Sequence, residues 1–325
     1  VTRKYVNGYV PIYEEKDLHD AGFLQTEKSE KKKLEMIDDV QVGAIKSLHH
    51  IAAAALTLGP DGGKKGIDAL GVLKADVDLL GMLMGCGLSG NRFTISRLAA
   101  LSRQFNYYFA LYLPHLLETE FTDVYTVFAG GDDLFLIGPW NRIYQLAFRL
   151  EKTFGAYVCD NPEIHFSAGI TLQKAQTPLN TLAETAEAAL EKSKSRGRRR
   201  LTMFNETVRW EDTAPLEFIR EELEMWLSEG WATKSMLYRL NTFIAMAAKE
   251  ERVSKKGQVL IDDMECLKWR ALLFYSAGRN IGKKIKNQGE RNRVKEELIG
   301  KMVSWLQHYR GSLRIPLWNV LYHHR

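Results

Sequence analysis

The chain is poor in cysteine and has no long apolar run. It carries three cysteines, Cys86, Cys159 and Cys266, in 325 residues. No two of them have ligand spacing, which excludes a disulfide framework and a cysteine-built zinc site. This sparse cysteine use is that of a reducing compartment, so a cytoplasmic location is expected. No apolar stretch reaches the roughly 20 residues of a membrane span, and no secretory leader opens the sequence. There is no internal repeat. The charge balance is not extreme either, at a formal +5. Placement says more than the sum, because basic residues gather at Lys194–Arg200 and again from Lys283 through Lys295. The chain begins at Val1 without methionine. A fragment of a longer polypeptide, or its concatenated ordered part, is expected.

What is there is globular in composition, 45% hydrophobic and 26% charged, and long enough for two domains. Residues 1–68 read as a linker and helical lead-in, with Val42–Leu56 Ala-rich and helical. Residues 69–210 read as strand, helix, hairpin, helix, strand, helix, strand. The strand Leu70–Asp76 is followed by one long helix over Asn91–Glu118. The hairpin occupies 124–138, a helix Trp140–Phe154, a strand Glu163–Leu172, a helix Leu179–Ser195 and a short strand Arg200–Phe204. The core of this order is βαββαβ, a ferredoxin-like palm in the α+β class. After Trp210 the pattern changes to helices only, with an apolar stripe of Leu216, Ile219, Leu223, Trp226 and Leu227. Residues 211–325 are therefore expected to form an all-α bundle, with further helices near 233–250, 262–279 and 290–309.

The chemistry is concentrated in Phe128-Ala129-Gly130-Gly131-Asp132-Asp133-Leu134. Two apolar runs flank a turn of two glycines and two acids, which is a hairpin signal. Adjacent carboxylates repel, and a divalent cation makes them favourable. The first strand ends in a third acid, Asp76, and the palm topology brings it beside the hairpin although 132 − 76 = 56 positions separate them. Two or three such carboxylates can hold two Mg²⁺ or Mn²⁺ ions for phosphoryl chemistry. Gly130 and Gly131 leave room for a base, ribose or phosphate. The free amides where Val77-Asp78-Leu79-Leu80-Gly81 leaves the strand form a phosphate cradle. Asp78 either joins Asp76 on one face or caps the following helix. Lys194 ends a helix, where it either answers the helix dipole or reaches a triphosphate.

Together, Asp76-Val77-Asp78-Leu79-Leu80-Gly81, Gly130-Gly131-Asp132-Asp133, Phe166-Ser167-Ala168-Gly169-Ile170 and Ala189–Arg198 occur in the order seen in GGDEF-type nucleotidyl cyclases. Asp133-Leu134 stands where diguanylate cyclases have Glu-Phe. With Leu70–Asp78 and the trailing helices, the chain is more similar to the large subunit of type III, Csm-type, CRISPR effector complexes, over about residues 69–325. The resemblance implies a cyclase palm that converts ATP to cyclic oligoadenylates with Mg²⁺ or Mn²⁺ when guide and target RNA are bound. It implies effector subunits as partners. Asp76, Asp132 and the Val77 carbonyl would then be metal ligands, and Asp133 would share the metal or activate a 3′-hydroxyl. Leu79, Leu80 and Lys194 would hold the triphosphate. Ser96 and Ser102 are candidates for an adenine pocket, against a reading as surface serines. Arg199-Arg200 stands where that family often has Asn. The His19-Asp20 pair lacks the setting of an HD nuclease and reads as coincidence. The family pairs two palms, so this chain would supply half a site. A stand-alone GTP cyclase and a non-catalytic RNA-binding scaffold are the alternative readings.

Overall fold

The computed structural model describes residues 8–18, 40–58, 63–88, 90–256 and 260–325. The His19-Asp20 pair lies outside these residues, as does the charged stretch Glu27–Lys33. The chain divides into two compact units, Val1–Trp210 and Glu211–Arg325.

The first unit is built on a mixed sheet of six strands. These are β1 (Leu70–Val77), β2 (Tyr125–Gly130), β3 (Asp133–Pro139), β4 (Phe166–Gln173), β5 (Arg200–Met203) and β6 (Glu206–Arg209). Their spatial order is β2-β3-β1-β4-β5-β6. The first four strands are antiparallel in the ferredoxin-like order, and β5 adds in parallel to β4. β1 is thus central, while the hairpin contributes β3 next to it and β2 at the sheet edge.

Two helix layers cover this sheet, and β1 shows why. Its side chains alternate between faces. Leu70 and Val72 pack with Leu182 and Ala186 of α6 (Leu179–Ser195), together with Ile51 and Ala52 of α1 (Leu48–Ala53). On the opposite face Gly71 lies against Ile143 and Trp140 of α5 (Trp140–Tyr157). The α6 layer sits close because Gly169 of β4 has no Cβ, which would fall 2.4 Å from the Leu190 nitrogen.

Four elements depart from the sequence reading. Only Leu48–Ala53 of the Val42–Leu56 stretch is α-helical, N-capped by the Ser47 side chain. The expected long helix is α3 (Ile95–Tyr107) and α4 (Leu113–Glu120), joined by a π-helical segment, Tyr108–Tyr112. Pro114 has no N–H for the α-helical ladder, so the backbone widens just before it. The strand β6 and the last helix of the chain have no counterpart in the expectation.

The second unit is helical. It contains α7 (Thr213–Ser228), α8 (Lys234–Lys256), a 3₁₀ segment Ile261–Lys268, α9 (Trp269–Asn280), α10 (Gln288–His308) and α11 (Arg314–His323). Leu216, Ile219 and Leu223 are buried, as the apolar stripe requires. Trp226 stacks on Trp305 at 5.0 Å between ring centroids, a pairing worth about 1 kcal/mol beyond its burial.

Candidate functional site: a carboxylate hairpin beside a strand-terminal acid

The tip of the β2–β3 hairpin is a two-residue turn, since Gly130 pairs with Asp133. Gly131 takes φ +69° and Asp132 does not enter the left-handed region. This is the φ pattern of a type II′ turn, which favours glycine at its first central position. Asp133 is therefore the first residue of β3, and its partner across the ladder is Asp76. The two carboxylates share one face. The Val77 amide donates to the Asp132 carbonyl at 2.9 Å, tying the turn to the end of β1.

Lys194, in the last turn of α6, reaches Asp76 Oδ2 at 2.9 Å and Glu191 at 3.6 Å. Burial pushes the Asp76 carboxyl above its ordinary value, outweighing the pull of Lys194. For Lys194 the balance goes the other way. Burial opposes its charge, yet Asp76 and Glu191 hold it above the usual lysine value. The ammonium is thus the firmly charged partner. Asp133 is pushed up to about 6, first by burial and then by Asp76, Glu187 and Asp132, against Lys74. One of its oxygens, Oδ1, is buried with no hydrogen-bond partner among the described residues.

Asp78 neither joins this group nor caps the next helix. That helix, α2 (Leu80–Cys86), starts from Leu79 at φ 55° with no side-chain cap. The Asp78 carboxylate is buried in its own knot. It accepts from His165 Nδ1 at 2.8 Å, from Ser167 Oγ at 2.8 Å and from the Arg199 amide at 3.0 Å. Arg199 follows Gly197 and Arg198 in a run of positive φ just beyond Lys194. Asp78 therefore fixes the chain that follows Lys194.

The structure brings Asp76, Val77, Asp132, Asp133 and Lys194 together, with Gly130 and Gly131 at the turn. Leu79 and Leu80 follow β1 directly. Ser96 and Ser102 are exposed on α3, with no hydrogen bond to the carboxylates among the described residues. Sequence reasoning missed the supporting shell: His165, Ser167, Lys74 and Glu187. The alternation of Lys74, Asp76 and Asp78 on an apolar strand was the available signal. So was the spacing of Glu187, Glu191 and Lys194, which places all three on one helix face.

The donor set suits a hard divalent cation. It is all oxygen, two of its carboxylates are held above their ordinary values by burial, and Asp133 carries an unpartnered buried oxygen. Among the described residues there is no closed cage of three or more ligands. That fits Mg²⁺, which keeps waters and takes part of its shell from phosphates.

Comparison with known proteins finds relatives over this part of the chain. Residues 69–202 match the family model described as Cas10/Cmr2, second palm domain. A curated relative in Methanocaldococcus jannaschii, the CRISPR system single-strand-specific deoxyribonuclease Cas10/Csm1 (subtype III-A), is 32% identical over 225 residues. The match covers 62% of this chain and 26% of the relative. The protein of that name in Enterococcus italicus is 35% identical over 148 residues, 46% of this chain and 18% of its own length. A Csm1–Csm4 cassette solved with cA3 superposes with a TM-score of 0.59 at 22% identity. It covers 83% of this chain and 39% of that one, and shows the same fold. The chain spans about a quarter of the length of the Methanocaldococcus relative. Residues 69–202 thus match the second palm domain of the Cas10/Cmr2 family, and the chain is similar there to Cas10/Csm1 proteins of subtype III-A CRISPR systems.

Proposed function

We propose that this palm joins ATP molecules into cyclic oligoadenylates, within an RNA-guided effector complex. The observation that carries the reading is the cross-strand pair Asp76 and Asp133, with Lys194 on the first and a buried oxygen of the second without a hydrogen-bond partner among the described residues. Solved relatives of the same fold include Csm1–Csm4 cassettes in complex with one ATP, with pppApApA and with cA4.

In this reading Asp76, Asp132, Asp133 and the Val77 carbonyl hold one or two Mg²⁺ or Mn²⁺ ions. When bound, such a cation offsets phosphate charge and acidifies the attacking 3′-hydroxyl. The reaction is attack of one 3′-hydroxyl on the α-phosphate of another ATP, with pyrophosphate leaving. The chain's own residues position and neutralise. Lys194 exchanges part of its hold on Asp76 for triphosphate oxygens. The amides of Leu79 and Leu80 hold further phosphate oxygens, and the open turn at Gly130-Gly131 admits the nucleotide. Ser96 and Ser102 contact adenine from α3.

The helical unit carries the scaffolding part of the proposal. Leu260, Ile261, Met264, Phe274 and Tyr275 are exposed there, more apolar surface than a free helical face favours. Lys283, Lys284 and Lys286 are exposed as well and suit a polyanion. Docking to effector subunits and to guide or target RNA would use these two surfaces.

The test replaces Asp132 and Asp133 together with alanine in the assembled complex and measures ATP turnover with matching target RNA. Product is expected to vanish while RNA binding persists. Unchanged turnover would overturn the assignment.

A further inference from the structure

Lys74 stands two residues before Asp76 on β1, so both side chains leave the same face of the sheet. The partner of Lys74 across the ladder is Phe135, and that of Asp76 is Asp133. Lys74 is therefore the diagonal neighbour of Asp133, a separation that a lysine side chain spans. A part-buried ammonium beside a buried, unpartnered carboxylate oxygen is expected to close on it. Here it does not. Lys74 is ion-paired with Glu187 of α6, and Asp133 Oδ1 stays without a partner among the described residues. The same helix presents Lys194 to Asp76 two turns later. One helix face thus gives Asp76 a cation and takes a cation away from Asp133.

We propose that Glu187 is a positioning residue, which holds the Lys74 ammonium on the helix side and so keeps Asp133 open to a divalent cation. The proposal rests on the reading of the hairpin as a metal site. The Lys74 ammonium starts from the ladder position next to that of Asp133, on the same face of the sheet. Without Glu187 it would compete directly with the metal for the same oxygen. No arrangement of Lys74 alone would produce that result, because the restraint comes from a residue 113 positions away in sequence.

The experiment titrates Mn²⁺ alone into the whole chain and reads free Mn²⁺ by electron paramagnetic resonance. It compares the unsubstituted chain with Glu187→Gln, Lys74→Gln, the double variant and Asp133→Asn. Glu187 is half-exposed and glutamine matches its shape, so folding is expected to persist; circular dichroism checks it in every variant. Glu187→Gln is expected to weaken Mn²⁺ binding about tenfold, the scale of a new ion pair at a part-buried carboxylate. Lys74→Gln should bind as the unsubstituted chain does, and the double variant should return to that same affinity, so that the loss in Glu187→Gln depends on Lys74 being present. A mere loss of one negative charge would make the two single effects multiply to the double. That outcome, or unchanged binding in Glu187→Gln, would overturn the positioning role while leaving the metal site standing. Undiminished binding in Asp133→Asn would overturn the metal reading itself, and this inference with it.

Discussion

Asp76 and Asp133 stand directly opposite each other on adjacent antiparallel strands, with Lys194 2.9 Å from one and no hydrogen-bond partner, among the described residues, for a buried oxygen of the other. Two like charges at that spacing destabilise a sheet. A divalent cation bound there, as proposed above, would offset that repulsion. Its consequences can be measured one at a time.

The first concerns pH. Asp133 holds its proton more tightly in the folded chain, at about 6, than its ordinary 3.8. Between those values the folded state binds more protons than the unfolded one, so stability falls as pH rises through that window. The full penalty is present above it. Asp133→Asn removes the penalty and is expected to raise the melting temperature by about 2–4 °C at neutral pH in chelator. The two proteins should converge at pH values below the ordinary carboxylate range. Adding Mg²⁺ should stabilise the unsubstituted chain more than the variant. Calorimetry across a pH series checks the sign.

Lys194→Met should separate binding from chemistry. The substitution removes the charge but keeps much of the apolar stem. The KM for ATP is expected to rise about tenfold, the cost of one charge-assisted contact to phosphate. Target RNA binding should be unchanged. Asp76 loses the group that draws its carboxyl down, so the acid limb of the pH profile should move toward neutrality.

Two glycines should behave in opposite ways. A Cβ on Gly169 would lie 2.4 Å from the Leu190 nitrogen and 2.6 Å from the Ala189 carbonyl carbon, both backbone atoms that cannot step aside. Gly169→Ala should cost about 1–3 kcal/mol as overpacking between β4 and α6. A Cβ on Gly130 meets nothing within 4 Å, and its φ is not left-handed. Gly130→Ala should leave the melting temperature unchanged yet reduce ATP turnover, because in the proposed reading the nucleotide enters that space. Equal loss of stability in both variants would contradict this.

Asp78→Ala would strand three donors, from His165, Ser167 and the Arg199 backbone, in a buried setting. A loss of about 3–5 kcal/mol is expected, as for breaking a buried charge network. Asp78→Asn keeps the shape and one acceptor oxygen, so it should fold. Faster amide exchange at Arg198 and Arg199 would show that the chain after Lys194 has come loose.

Much of the palm is legible in its residues alone. The order of its strands and helices follows from period-two and period-3.6 patterns, and the bounds those patterns give for α6, Leu179–Ser195, are the ones the helix has. Asp76, Asp132 and Asp133 stand out because charged residues interrupt apolar strands. The break at Tyr108–Tyr112 is harder to read, since Pro114 lies inside an otherwise regular helical pattern. Ser47 as the true start of α1 is hidden by an alanine-rich run that suits a helix almost anywhere.

The sequence by itself determined which residues could carry charge at the end of β1 and at the hairpin turn, because strand alternation and turn chemistry are local. Only the tertiary structure decided how those charges are paired. Asp78 sits in a closed knot and Asp76 in an open ion pair, although alternation puts both on one face at the end of β1. Lys74 answers Glu187 rather than Asp133. The choice depends on where α6 and β4 lie against β1. That placement is set by packing between residues about 100 positions apart, which no local pattern encodes.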